Sequence, residues 1–162
     1  MSVAPDSASG PAAPAACSHP LPDRTVRVLA VSSAEEDLRF LRHLFAHSNW
    51  VIYTARGCAE AADFLRRHPI PVILCDSELA DGTWRDLLRT AGASAPDSLV
   101  IVTSRAADDF LWAEVLNLGG YDVLMKPFDP DEVIRVISLA WLHWKNLRER
   151  IKMREALLAG QA

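Results

Sequence analysis

The stretch VILCDSELADG, residues 72–82, decides how the chain folds. Its first four residues are apolar, too few for a buried helix, and rich in the residue types that favour strands. A strand that is apolar throughout is buried on both faces, which is typical of a parallel sheet covered by helices. The stretch therefore predicts a central parallel strand that ends at an acid, Asp76.

Four other short apolar runs flank this strand along the chain, at residues 26–31, 51–53, 99–102 and 123–125. Between the runs, apolar residues recur at spacings of three and four, as Leu38, Leu41 and Phe45 do, which is the period of a helix. The pattern therefore predicts five units, each a strand followed by a helix. They predict an α/β fold, a three-layer α/β/α sandwich around a five-stranded parallel sheet.

The composition of the 162 residues is that of an ordinary globular protein. Half are hydrophobic, 23% are charged and the net charge is −4, which gives no electrostatic case for nucleic-acid binding. No apolar run is long enough for a membrane span. The cysteines Cys17, Cys58 and Cys75 are widely spaced and form no zinc or disulfide pattern. We expect a cytoplasmic protein without membrane or nucleic-acid partners.

The chain divides into three parts by composition. Residues 1–23 are rich in proline and alanine and cannot bury enough apolar surface to fold, so we expect a disordered leader. Residues 24–143 hold the strand and helix pattern and form the domain. Residues 144–162 form a C-terminal helical extension and tail.

The C-terminal part predicts one long helix. From residue 131 to about 158 there is no glycine or proline, and Trp141, Trp144, Leu147 and Ile151 recur at spacings of three and four. Such a helix is about 40 Å long and extends past a small domain. Exposed tryptophans favour pairing with another helix, in a homodimer or with a partner. The alternative is that both tryptophans fold back against the domain.

Polar residues follow the predicted strands. They are Ser32 and Ser33, Asp76, Thr103 and Ser104, and Lys126. In an open parallel sheet the chemistry lies beyond the carboxyl ends of the strands. There Asp76 can act as a nucleophile, a hydroxyl can donate to a phosphoryl oxygen, and an ammonium can neutralise charge. These residue types predict phosphoryl transfer.

Three segments carry a resemblance to a known family. They are VILCDSELADG around Asp76, VIVTSR around Thr103, and LGGYDVLMKPFDPDEV around Lys126 and Pro127. With these motifs in this order, the chain resembles the CheY-like receiver domains of two-component response regulators over about residues 24–143. The resemblance implies the (βα)5 receiver fold, which is flavodoxin-like.

The resemblance also implies roles for individual residues. Asp76 would be phosphorylated by a histidine kinase or phosphotransfer protein, with Thr103 and Lys126 beside it. The Lys126–Pro127 bond would be cis. Asp76 and the backbone carbonyl of Glu78 would be ligands of Mg²⁺, while Glu78 and Arg105 could flank the phosphoryl group or serve only as solvated surface residues.

Two departures from the family stand out. Ser32 and Ser33 occupy the positions of the acidic pair that holds Mg²⁺, so we expect weak metal binding. Glu35 or Glu36 could replace a ligand; otherwise they start a helix, with Ser33 as its N-cap and Glu36 completing a capping box. The second departure is Val123, which stands where many receivers have a switching aromatic residue.

The sequence favours a stand-alone receiver, not an enzyme, that is phosphorylated on Asp76. The rival interpretation is a degenerate receiver that binds partners without phosphorylation, as Ser32, Ser33 and Val123 suggest. Local structural roles also stay open: Asp76 could cap a loop, and Thr103 and Ser104 could cap a helix beginning near Ala107. An enzyme of small-molecule chemistry has no support beyond the fold.

Overall fold

The computed structural model describes residues 25–161. The predicted leader, residues 1–23, lies outside them, so its disorder stays a prediction. Among the described residues, none of the helices combines the length and the hydropathy that a bilayer crossing requires.

Strands and helices alternate along the chain, as the sequence pattern predicts. The strands are β1 (Arg27–Val31), β2 (Val51–Ala55), β3 (Val72–Asp76), β4 (Glu78–Leu79), β5 (Gly82–Thr83), β6 (Leu99–Ser104) and β7 (Asp122–Met125). The helices are α1 (Glu35–Phe45), α2 (Cys58–Arg67), α3 (Trp84–Ser94), α4 (Asp109–Asn117) and α5 (Pro130–Ala159).

Five of the strands form one parallel sheet in the order β2, β1, β3, β6, β7. The central strand is β3, and its register pairs Asp76 with Thr103 of β6. The short strands β4 and β5 form a separate antiparallel pair between β3 and α3. The predicted five-stranded parallel sheet is confirmed.

Each face of the sheet is covered by helices, because β1, β3 and β6 alternate their apolar side chains between two cores. One core joins Val28, Leu74 and Ile101 to α1 and α5. The other joins Leu29 and Ile73 to α2, α3 and α4. Two helices therefore lie on one face and three on the other, which is the predicted three-layer sandwich.

The start of α4 corrects one local prediction. The helix begins at Asp109, and the Asp108 carboxylate caps it by accepting from the Leu111 N–H at 2.8 Å. Thr103 and Ser104 end β6 five and four residues before Asp108 and do not cap α4. At the other end of α4, Gly119 has a φ of 98°, a left-handed conformation that glycine adopts at little cost.

Helix α5 is continuous over 30 residues, as the absence of glycine and proline predicts. Its buried residues are Val133, Val136, Ile137 and Ala140, which pack on the sheet. Trp141 is half-buried against the same core, and Trp144 is half-buried beside Pro69. The expectation that both tryptophans are exposed is therefore wrong, because the helix is still beside the domain at these positions.

Candidate functional site

Three of the predicted site residues converge at the carboxyl edge of the sheet. Thr103 Oγ1 donates to Asp76 Oδ1 at 2.6 Å, and Lys126 Nζ lies 2.6 Å from the same oxygen. The strands β3, β6 and β7 are consecutive in the sheet, with β6 between the other two. All three side chains are nearly buried, with Asp76 8% exposed. The arrangement sets an ammonium and a hydroxyl against one carboxylate.

An open cleft of about 300 Å³ leads to this carboxylate. It is lined by Asp76, Ser77, Glu78, Thr103, Ser104, Arg105, Ala106 and Lys126. Glu78 and Arg105 are exposed at its rim, so they flank the entrance without contacting Asp76 through a hydrogen bond or ion pair. A small anionic group can reach Asp76 from solvent by this route.

The end of β1 closes the site from the other side. Ser32 Oγ donates to Asp76 Oδ2 at 2.5 Å and accepts from the Ala34 N–H at 3.1 Å. Ser33 is exposed, and its hydroxyl donates to the Arg56 carbonyl at 3.0 Å. Ser32 therefore belongs to the site and Ser33 does not contact it. The N-cap of α1 is Ala34, so the predicted capping box of Ser33 and Glu36 is wrong.

A residue that the sequence analysis missed completes the site. Lys126 Nζ lies 2.5 Å from Asp37 Oδ2, and the Asp37 side chain is only 14% exposed. Asp37 lies in the first turn of α1, four residues before the buried Leu41 and therefore on the same side of the helix. That spacing was the available signal. It places Asp37 beside the buried face, although Glu35, three residues before the buried Leu38, has a similar spacing.

The two glutamates before Asp37 have other surroundings. Glu35 forms ion pairs with Arg42 and Arg56 at 3.3 and 2.7 Å, and Glu36 is exposed. Neither takes part in the hydrogen bonds and ion pairs of Asp76 or Lys126. The hypothesis that one of them replaces a metal ligand is therefore not supported by this arrangement.

The side chains at this edge do not fit the Mg²⁺ ion that the resemblance implies. Among residues 25–161, no three His, Cys, Asp or Glu side chains are grouped so that they could hold a metal. Asp76 already uses both of its oxygens, since Ser32 donates to one while Thr103 and Lys126 approach the other. An ammonium between Asp37 and Asp76 repels a divalent cation.

Two further predicted residues lie close to the site. The Lys126–Pro127 peptide bond is cis, as the resemblance implies. Val123 lies in β7 opposite Val102 and is half-buried against the core that contains α4. An aliphatic side chain therefore stands where an aromatic switch residue would be.

Three pKa shifts mark the surroundings of the site. Burial raises the pKa of the Cys75 thiol well above its usual value, and burial beside Asp81 raises the pKa of Cys58. The exposed Asp81 carboxylate accepts from the Ala59 and Cys58 N–H groups at the start of α2, which lowers its pKa. Both thiols favour the neutral form, and neither is an activated nucleophile.

Comparison with known proteins identifies related chains. The family model of the response regulator receiver domain matches residues 28–138. The hydrogenase transcriptional regulatory protein HoxA of Cupriavidus necator is 29% identical over 119 residues, which are 73% of this chain and 24% of that protein. The chain thus spans about a quarter of the length of this relative.

Solved structures with the same fold agree with the family match. The signal receiver domain of an HD domain-containing protein from Pseudomonas fluorescens Pf-5 is 25% identical, with a TM-score of 0.73 over 82% of this chain and 98% of that one. The beryllofluoride-activated NtrC4 receiver domain dimer is 25% identical, with a TM-score of 0.69 over 73% and 98%.

Proposed function

Because this chain belongs to the response regulator receiver domain family, we propose that it acts in two-component signalling by accepting a phosphoryl group on Asp76. One observation carries the proposal. The Asp76 carboxylate lies at the bottom of an open cleft, with Thr103 and Lys126 both 2.6 Å from one of its oxygens. That arrangement supports transfer of an anionic group to a carboxylate.

On this chain, the proposed reaction uses residues of the described site. A carboxylate oxygen of Asp76 attacks the phosphorus of a phosphohistidine on a histidine kinase or phosphotransfer protein. The phosphohistidine ring carries a proton on its other nitrogen, so that it leaves as neutral imidazole when the P–N bond breaks and the new P–O bond forms. The Lys126 ammonium and the hydroxyls of Thr103 and Ser32 stabilise the charge on the transferred oxygens.

The alternative is a degenerate receiver that binds partners without phosphorylation. It is favoured by the serines at the end of β1 and by Val123 in place of an aromatic residue. Ser32 and Lys126 satisfy Asp76 without a ligand, which is compatible with a site kept for stability. The two functions differ in one outcome, because only the first requires a covalent product on Asp76.

The test is incubation with acetyl phosphate followed by intact mass measurement. We expect one added phosphoryl group on the wild-type chain and none on Asp76→Asn. Asp81→Asn is the matched control, since it removes an acid from the same edge of the sheet that does not contact Lys126. A wild-type chain that gains no mass with acetyl phosphate or a phosphorylated phosphotransfer protein supports the degenerate receiver instead.

The projecting end of α5 supports a proposal about the partner. Arg148 pairs with Asp97 at 3.4 Å, and every residue from 149 to 161 is exposed. Ile151, Leu157 and Leu158 are among them, at 42%, 66% and 62% exposure. A lone helix of this length is marginal in water. The segment is therefore suited to packing against a second helix.

We take that second helix to be the α5 of another copy. Leu147, Ile151 and Leu158 fall at a and d positions of a heptad repeat, with the charged Arg154 at the remaining d position. With Ile151 at an a position, Arg150 is at g and Glu155 at e. A parallel pair then places each Arg150 opposite Glu155 of the other copy, and two-fold symmetry repeats the contact. The related NtrC4 receiver structure is also of a dimer.

Sedimentation of charge variants tests this pairing. Truncation after Arg148 keeps the contacts of Trp141 and Trp144 with the domain, and it should convert a dimer into a monomer. Glu155→Arg should weaken the dimer, and the added change Arg150→Glu should restore it. A full chain that sediments as a monomer at all concentrations, or a double variant as weak as the single one, contradicts the parallel pairing.

A further inference from the structure

Lys126 is held by two carboxylates from different parts of the fold. Its Nζ lies 2.5 Å from Asp37 Oδ2 and 2.6 Å from Asp76 Oδ1, and its side chain is 7% exposed. Asp37 comes from α1 and Asp76 from the end of β3, 39 residues apart in the sequence. The contact with Asp37 is a charge-assisted hydrogen bond, and the contact with Asp76 is an ion pair. The ammonium therefore bridges α1 and the end of β3.

The position of this ammonium is that of a small bound cation. Oxygens from two acids, Asp37 and Asp76, lie around it, and carboxylate oxygens are the ligands that Mg²⁺ and Ca²⁺ take in proteins. An ammonium has three N–H donors. Two face Asp37 and Asp76, which leaves one for an oxygen of an incoming phosphoryl group.

Local contacts explain why Asp37 is the acid that reaches this position. Leu38 and Leu41 are buried against the sheet and fix the rotation of α1, so that Asp37 lies at the margin of the buried face. The ring of Phe128 lies 5.9 Å from Lys126 Nζ and borders the same small cavity as Asp37. These apolar neighbours exclude water and strengthen the attraction between the charges.

We propose that Asp37 is a positioning residue that holds the Lys126 ammonium against Asp76, where this internal cation takes the place of a divalent metal ion. The role of this ion pair in signalling rests on the proposed function, in which Asp76 accepts the phosphoryl group. In the resting site the two carboxylates and the ammonium sum to one negative charge. No metal ion is then needed to hold Asp76 and Asp37 close to each other.

Exchanging the cation tests the proposal. Lys126→Ala leaves two facing carboxylates and vacates the space between them. Titration with Mn²⁺, followed by electron paramagnetic resonance, should give at least about tenfold tighter binding to Lys126→Ala than to the wild type. The gain should disappear in Asp37→Asn/Lys126→Ala and in Asp76→Asn/Lys126→Ala. It should persist in Glu36→Gln/Lys126→Ala, the matched control on the same turn of α1.

Two results of this titration would overturn the proposal. The first is a folded Lys126→Ala chain, judged by circular dichroism, that binds Mn²⁺ no more tightly than the wild type. The second is a gain that survives Asp37→Asn.

A second measurement keeps Lys126 and does not depend on the folding of Lys126→Ala. The ¹⁵N-edited NMR signal of the Lys126 ammonium should be protected from exchange with water in the wild type and in Glu36→Gln, and lost in Asp37→Asn. An unchanged signal in Asp37→Asn would contradict the positioning role. Neither measurement involves phosphorylation. If the chain is never phosphorylated, the proposed function is wrong, but these two measurements still decide whether Asp37 positions Lys126.

Discussion

The carboxyl edge of the sheet has two halves that handle charge differently. The half formed by β3, β6 and β7 carries Asp76, Thr103 and Lys126, the residue types that bind and neutralise a phosphoryl group. The half formed by β1 and α1 carries Ser32 and Asp37, which satisfy Asp76 and Lys126 from within the chain. In the proposals above, the first half receives an incoming anion, while the second holds Asp76 and Lys126 by an internal hydrogen bond and an ion pair in place of a metal ion.

The largest effect should follow from removing the cation that joins the halves. Lys126→Met leaves two nearly buried carboxylates without their partner, and breaking a buried ion pair in this way costs about 3–5 kcal/mol. Urea unfolding should show this loss. Asp37→Asn added to Lys126→Met should restore part of the stability, because it removes one of the two unpaired charges. Additive losses would mean that the two residues act independently.

A smaller loss should follow from the β1–α1 half alone. Asp37→Asn replaces a charged hydrogen-bond acceptor by a neutral one, and we expect the free energy of unfolding to fall by about 1.5 kcal/mol. Glu36→Gln, one residue earlier, should stay within about 0.5 kcal/mol of the wild type because its side chain is exposed. Equal effects of the two variants in urea unfolding would remove the distinction between Asp37 and its neighbours.

The smallest effect should come from an acid that caps a helix and binds no cation. The N–H groups of Ala59 and Cys58 lower the pKa of Asp81, so its contribution to stability is present above the usual aspartate pKa of about 3.9 and is lost as the pH falls through the lowered value. Asp81→Asn should therefore differ from the wild type at pH 7 and converge with it in acid. Unfolding curves that keep a constant difference across this range would contradict the cap.

The half of the site at β3, β6 and β7 could be predicted from the sequence. Each of its residues directly follows an apolar run, and parallel strands bring their carboxyl ends to one edge. Asp76, Thr103 and Lys126 could therefore be placed together by counting along the chain. The same reasoning located Ser32, whose hydroxyl donates to Asp76.

Asp37 could not be predicted in this way, because its position depends on how a helix is rotated. Asp37 reaches Lys126 through the packing of Leu38 and Leu41, and the pattern of acids at the start of α1 is equally typical of solvated charges. The position of Trp144 has a similar cause. Its burial beside Pro69 depends on the loop between α2 and β3, which helical spacing does not describe.

The most direct test compares the phosphorylation of the wild-type chain with that of a variant that has acids in place of the two serines after β1, each with and without magnesium. Wild-type chain and the double variant Ser32→Asp/Ser33→Asp are incubated with acetyl phosphate, in Mg²⁺ or in EDTA, and the rate of phosphoryl addition is followed by intact mass. If Lys126 serves as the cation, the wild-type rate is the same in both buffers, while the double variant gains at least about tenfold from Mg²⁺. A wild-type rate that collapses in EDTA would contradict the account.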